Sequence, residues 1–126
     1  MTGITPEYEE ALRRLALNDE SYITSVLTRY SGVGHASTVE HRQALDDRTK
    51  RLVDLAAHIT VGSGQAGIAA AVTAALGAGA SEDDIVETLL SITPAVGSGR
   101  VVSCAPYVAA AIGYDLDVEY DELRTG

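Results

Sequence analysis

Asp54 and His58 stand four residues apart, a spacing that puts both on one face of a helix, with Arg51 one turn before Asp54. A carboxylate that orients an imidazole makes a general base, so this pair can move a proton on a small molecule. The same residue types also make an exposed ion-pair ladder of Lys50, Arg51, Asp54 and His58 on a solvated helix face. At the level of sequence both readings stand.

Arg100, Cys104 and Tyr107 recur at i, i+4 and i+7. An arginine among apolar neighbours can clamp an anionic ligand, or it can pair with an acid of the protein's own surface. Tyr107 would line the same binding face. Gly62-x-Gly64-x-x-Gly67 has the spacing of a dinucleotide fingerprint, but a helix rather than a strand is expected before it. The glycines therefore read as helix separation and close packing. Backbone amides at the helix start that follows can hold a carboxylate, with Gln65 at the rim of such a site. The candidate catalytic residues are thus His58 and Asp54, and the candidate substrate-binding residues Arg100, Gln65 and Tyr107. His35 and His41 have no recognised ligand spacing, and no metal or cofactor is expected.

Helical elements must position these groups. Thr5-Pro6-Glu7 reads as a cap, a first helical position and a dipole-compensating acid, opening a helix to about Leu17. A second helix starts at Asp19 or Ser21 and carries Ile23, Val26, Leu27 and Tyr30. The stretch from Gly32 to Gln43 is polar and has no clear period. From Leu45-Asp46-Asp47 a longer helix runs to about Val61, with Leu52, Leu55, Ala56 and Ile59 as its apolar face. A small-residue helix is predicted from about Gln65 to Ala78, with Gly79 as its stop. Ser81-Glu82-Asp83-Asp84 resembles a capping box, opening a helix that buries Ile85, Val86, Leu89 and Leu90 and stops at Pro94. The last predicted helix covers roughly Ser98 to Ile112, kinked at Pro106 and ended by Gly113. No period-2 strand segment and no second domain is evident.

Composition narrows the partners. The chain has 126 residues, 46% of them hydrophobic, with no Phe and no Trp, so small aliphatic side chains must make a core of closely packed helices. Such a core is thin, and burial between subunits would supplement it. Eighteen acidic against 9 basic residues give a net charge of −9, which repels phosphate backbones and anionic lipid. Neither nucleic acid nor membrane is an expected partner. The first residues, from Met1 to Glu7, lack the basic cluster and apolar run of a secretory leader, and a cytoplasmic location is expected. The single cysteine, Cys104, allows no internal disulfide and no cysteine-based zinc site.

Three blocks of the chain carry a family resemblance. They are 45–53 (Leu45-Asp46-Asp47-Arg48-Thr49-Lys50-Arg51-Leu52-Val53), 74–87 (Ala74 to Glu87, with its Gly-Ala-Ser turn), and Leu89-Leu90 with Pro94-Ala95-Val96-Gly97. In order and spacing the stretch from Leu45 to Gly113 resembles the carboxymuconolactone decarboxylase and alkyl-hydroperoxidase-D-like family. The resemblance implies an all-α, AhpD-like helical fold of about six helices in a single domain, 1–126. Within it, 1–44 would be N-terminal helices and a connection, 45–113 the family core and 114–126 an acidic tail. It also implies a homotrimer or homohexamer, with the N-terminal helices acting partly as interface. Redox-active members carry a Cys-x-x-Cys at the start of the Ala-rich helix, a His four residues after the second Cys, and a Glu on the preceding helix. Those positions fall here on Gly64, Gly67, Ala71 and Arg51. Without a thiolate pair and a proton relay, peroxide reduction is not expected. The decarboxylase members keep the His, which is also absent, so the fold carries over and the activity does not.

Two classes of function remain. One is a cofactor-independent lyase, decarboxylase or isomerase acting on a small organic acid, with Arg100 and the amides near Gln65 on the carboxylate and His58, held by Asp54, moving a proton. The other is a non-catalytic ligand-binding or oligomeric scaffold protein.

Overall fold

The computed structural model describes residues 3–30 and 43–116. These form six helices: α1 Pro6–Ala16, α2 Glu20–Arg29, α3 Asp47–Val61, α4 Gly64–Gly77, α5 Glu82–Val96 and α6 Ser98–Ala111. Among the described residues there is no strand. The fold is all-α, as the helical periodicity predicts. Histidines 35 and 41 and the acidic tail beyond Leu116 lie outside the described residues. By contacts the chain divides at Arg42 and Gln43 into two compact units.

The first unit is the hairpin of α1 and α2. Pro6 opens α1 at a position where its missing N–H costs nothing. Asn18, at φ +56, turns the chain, and the Asp19 carboxylate caps α2 by accepting from the Tyr22 N–H at 3.2 Å. Glu10 accepts from Arg13 and Arg14 at 2.6 and 2.8 Å, and the Arg14 guanidinium stacks over the Tyr22 ring at 5.6 Å. Neither helix contains a fully buried residue. Leu27, assigned from sequence to the apolar stripe of α2, is 69% exposed.

In the second unit α3 packs on α4 and α5, and α6 packs on α4 and α5. The core is small-chained: Leu55 and Ile59 of α3, Ile68 and Val72 of α4 and Ile85 of α5 are fully enclosed, with Ala71, Ala75, Cys104 and Val108 filling the gaps. Alanine at the α4 contacts lets neighbouring backbones approach closely, which serves in place of large aromatic side chains.

Helix ends follow local chemistry. Asp46 caps α3 by accepting from the Thr49 N–H at 2.7 Å. Gly79, at φ +99, ends α4 with the Ala80 N–H returned to the Ala75 carbonyl, a Schellman-type stop. Ser81 and Asp84 form the reciprocal capping box of α5 that the sequence predicts. Arg48 reaches across from α3 to the Asp84 carboxylate at 3.1 Å and ties the two helix starts together.

Two expectations need correcting. The α5 helix does not stop at Pro94 but runs to Val96. Pro94 withholds only the bond to the Leu90 carbonyl, in the last turn and beside an exposed residue, so water can take the free acceptor. The buried face of α5 is also narrower than predicted. Ile85 and Leu89 are buried, but Val86 and Leu90 are 39% and 59% exposed, because one packed stripe spans only part of the helix circumference.

Candidate functional site

The second unit brings three of the five candidate residues to one place, the turn between α3 and α4. Gly62 ends α3 in the left-handed region, φ +69 and ψ +52, and its N–H and that of Ser63 both return to the His58 carbonyl. This tight reversal lays Ser63 beside the His58 ring. The Ser63 hydroxyl stands 2.8 Å from His58 Nδ1, and Asp54 Oδ2 stands 3.6 Å from His58 Nε2 on the other side. The imidazole is thus held between a hydroxyl and a carboxylate, with 36% of its side chain open to solvent.

Ser63 occupies the N-cap position of α4 yet does not cap it. Asp19, Asp46 and Ser81, at the N-caps of α2, α3 and α5, each accept from a backbone N–H of the first turn. Those three have extended backbone, whereas Ser63 sits at φ −72 and ψ 0 and aims its hydroxyl at the imidazole. Forgoing a cap costs about 1 kcal/mol of helix stability. The first N–H groups of α4 are left without a side-chain acceptor.

Glycine at position 67 is a condition of this arrangement. A Cβ there would stand 2.6 Å from Ser63 Oγ and 3.5 Å from His58 Nδ1, so any larger residue would press on the hydroxyl. Arg100, on the first turn of α6, lays its guanidinium against Gly62, where a Cβ would collide with it. Arg100 is exposed and pairs with no carboxylate among the described residues.

The other two candidates are placed differently. Gln65 is exposed on the first turn of α4, two residues after Ser63. Tyr107 lies two turns further along α6 than Arg100, about 10 Å along the helix axis, and is 38% exposed. Ser63 was missed in the sequence because serine after a helix-ending glycine reads as an ordinary cap. The signal available was His58-x4-Ser63 followed by a glycine one helical turn later.

Each unit has a depression of its surface. One, of about 230 Å³, sits in the α1–α2 hairpin between Tyr8, Arg14, Tyr22 and Tyr30, and the other is at the end of α6 around Pro106 and Tyr114. The His58 site is an open one. Among the described residues no group of three or more His, Cys, Asp or Glu side chains is placed to hold a metal ion. No helix among them is long and apolar enough to cross a membrane.

Residues 25–110 match the carboxymuconolactone decarboxylase family. The chain belongs to that family. The match begins within α2, upstream of the Leu45 block, and takes in the whole of α3 to α5 and most of α6. Comparison with curated proteins and with solved structures found no match. The resemblance assigns the redox-active cysteines of the carboxymuconolactone decarboxylase family to Gly64 and Gly67 and the histidine to Ala71. Gly64 and Gly67 stand in the first turn of α4, and Ala71 is buried in the core. The hydroxyl of Ser63 lies against Gly67, the position to which the resemblance assigns the second cysteine. The one thiol present, Cys104, is buried with Sγ 3.8 Å from the Ile59 carbonyl and away from solvent.

Proposed function

We propose that the α3–α4 turn is a proton-transfer site for a small organic acid and that the protein is a cofactor-independent lyase, decarboxylase or isomerase. The observation that carries this reading is the placement of His58 between Asp54 and Ser63, with Arg100, which pairs with no carboxylate among the described residues, against the adjoining Gly62. Arg100 anchors the substrate carboxylate by charge-assisted hydrogen bonds. A proton taken at Ser63 Oγ passes to His58 Nδ1, and the Asp54 carboxylate offsets the charge of the imidazolium that forms. Gln65, on the neighbouring turn, adds a hydrogen-bonding side chain at the rim.

The test is exchange in heavy water. With a panel of small mono- and dicarboxylic acids, deuterium is expected to enter carbon next to the bound carboxylate, by mass spectrometry or NMR, and to be lost in His58→Gln. Absence of enzyme-dependent exchange across the panel, or full exchange in His58→Gln, would remove the reading.

A second reading, an oligomeric scaffold, is favoured by one specific observation. Val53, Val61, Leu90 and Val102 are each more than half exposed on a unit whose core is small. Aliphatic surface of this kind is covered in a homotrimer or homohexamer. Sedimentation velocity at micromolar concentration is expected to give one of these, and a monomer would refute the assembly.

A further inference from the structure

We infer that Ser63 is a nucleophile, and that the Asp54–His58–Ser63 array transfers the acyl group of a small, carboxylate-bearing ester to water. The inference rests on the proton-transfer reading for the roles of His58 and Asp54, and adds a covalent step at Ser63 Oγ.

Three features of the turn support it. The hydroxyl of an N-cap serine ordinarily serves its own helix, whereas here it is 2.8 Å from an imidazole nitrogen whose ring has a carboxylate 3.6 Å from its other nitrogen. Serine is a weak nucleophile unless such a base takes its proton, and a third group that orients the base completes the arrangement. Next, Gly67 has no side chain to press on the hydroxyl, and Ser63 itself is exposed, so an acyl carbon can reach Oγ. Finally, the first N–H groups of α4, uncapped because the hydroxyl is engaged elsewhere, belong to the same turn and supply hydrogen bonds for a developing oxyanion. Arg100 beside Gly62 selects an ester that carries a carboxylate.

The step balances with water as the only co-reactant. Ser63 Oγ forms a bond to the carbonyl carbon as its proton goes to His58 Nδ1. The tetrahedral intermediate collapses, the C–O bond to the alcohol breaks, and the departing oxygen takes the proton from His58. Water then attacks the acyl-serine, gives its proton to His58, and leaves as the acid while Ser63 Oγ regains a proton. Asp54 stays ionised throughout and stabilises the charged ring.

The test uses the full chain with two probes, a fluorophosphonate that leaves a stable adduct and 4-nitrophenyl hydrogen glutarate, compared with the neutral 4-nitrophenyl butyrate. One fluorophosphonate adduct per chain is expected, located on Ser63 by fragmentation. The protein-dependent release of 4-nitrophenolate, above each ester's own release in buffer, should be faster from the anionic ester, and Arg100→Met should remove that preference. His58→Gln should lower both reactions at least about 100-fold. Ser63→Cys supplies a variant that keeps a nucleophile: its thiol should react with iodoacetamide at least about tenfold faster than in the Ser63→Cys, His58→Gln double variant. No adduct, an adduct on another residue, or undiminished labelling in Ser63→Ala would overturn the inference. An adduct on Ser63 supports it whether or not carbon-bound hydrogen exchanges in heavy water. Exchange without an adduct overturns the nucleophile alone and leaves the proton-transfer reading intact.

Discussion

Replacing Gly67 by alanine separates the local cost of the His58–Ser63 contact from the helix that carries it. Alanine is favoured over glycine inside a helix by about 0.8–1.0 kcal/mol, so the substitution in α4 would ordinarily stabilise the protein by that amount. Here the new Cβ falls 2.6 Å from Ser63 Oγ and 3.0 Å from Ser63 Cβ. The hydroxyl must rotate away, which breaks its bond to His58 and forfeits about 0.5–1.5 kcal/mol. The two effects oppose, and Gly67→Ala should change stability by between about +0.5 and about −0.7 kcal/mol. In a Ser63→Gly background neither Oγ nor Cβ is present, and the 3.5 Å approach to His58 Nδ1 is ordinary contact. The same substitution should then stabilise by the full ~1 kcal/mol. Urea titrations followed by circular dichroism, at fixed protomer concentration and unchanged m, read both values. Equal stabilisation in the two backgrounds would show that Ser63 does not lie against Gly67, and the account of the site would fail with it.

Gly62→Ala forces a side chain into the left-handed region and onto the Arg100 guanidinium, and should cost about 1–2 kcal/mol in the same urea titration. Ile59→Ala empties a fully enclosed position between helices and should cost about 2–5 kcal/mol, with faster amide hydrogen exchange in α3 as a second readout. Ser81→Ala removes half of the α5 capping box and should cost about 1 kcal/mol by denaturation midpoint. Acid should also weaken the fold. The Ser81 N–H, the Ser81 hydroxyl and the Arg48 charge hold the Asp84 carboxyl below its ordinary 3.8, and the Arg13 and Arg14 guanidinium groups lower Glu10 to about 2. A lowered folded-state pKa stabilises above the unfolded value and loses that contribution as pH falls through the folded one. The contribution is complete above about pH 5 and declines below about pH 4, so the midpoint should fall there and fall less in Asp84→Asn.

The helices were legible because their signals are local. Pro6 at a helix start, Asp46 and Ser81 as caps, Gly79 as a stop and the Leu55–Ile59 spacing each act over one turn of chain. The order and spacing of the three blocks, 45–53, 74–87 and 89–97, likewise indicated the family. Asp54 and His58 could be paired from their spacing, since i and i+4 face each other on any helix.

Tertiary structure decided what the pair is joined to. Ser63 reaches the imidazole only because Gly62 reverses the chain in a left-handed conformation and Ser63 itself abandons extended geometry, and the Ser63 angle is not written in residue type. Arg100 meets Gly62 across 38 positions of chain because α6 packs on α4, a contact set by which faces bury together. Val86 and Leu90 are as apolar as their buried neighbours, yet packing leaves them in solvent. Residue type and spacing determine where helices begin and which side chains share a face. Which of those faces meets another is determined by the packed core, because burial is a property of the whole assembly of helices and not of any one segment.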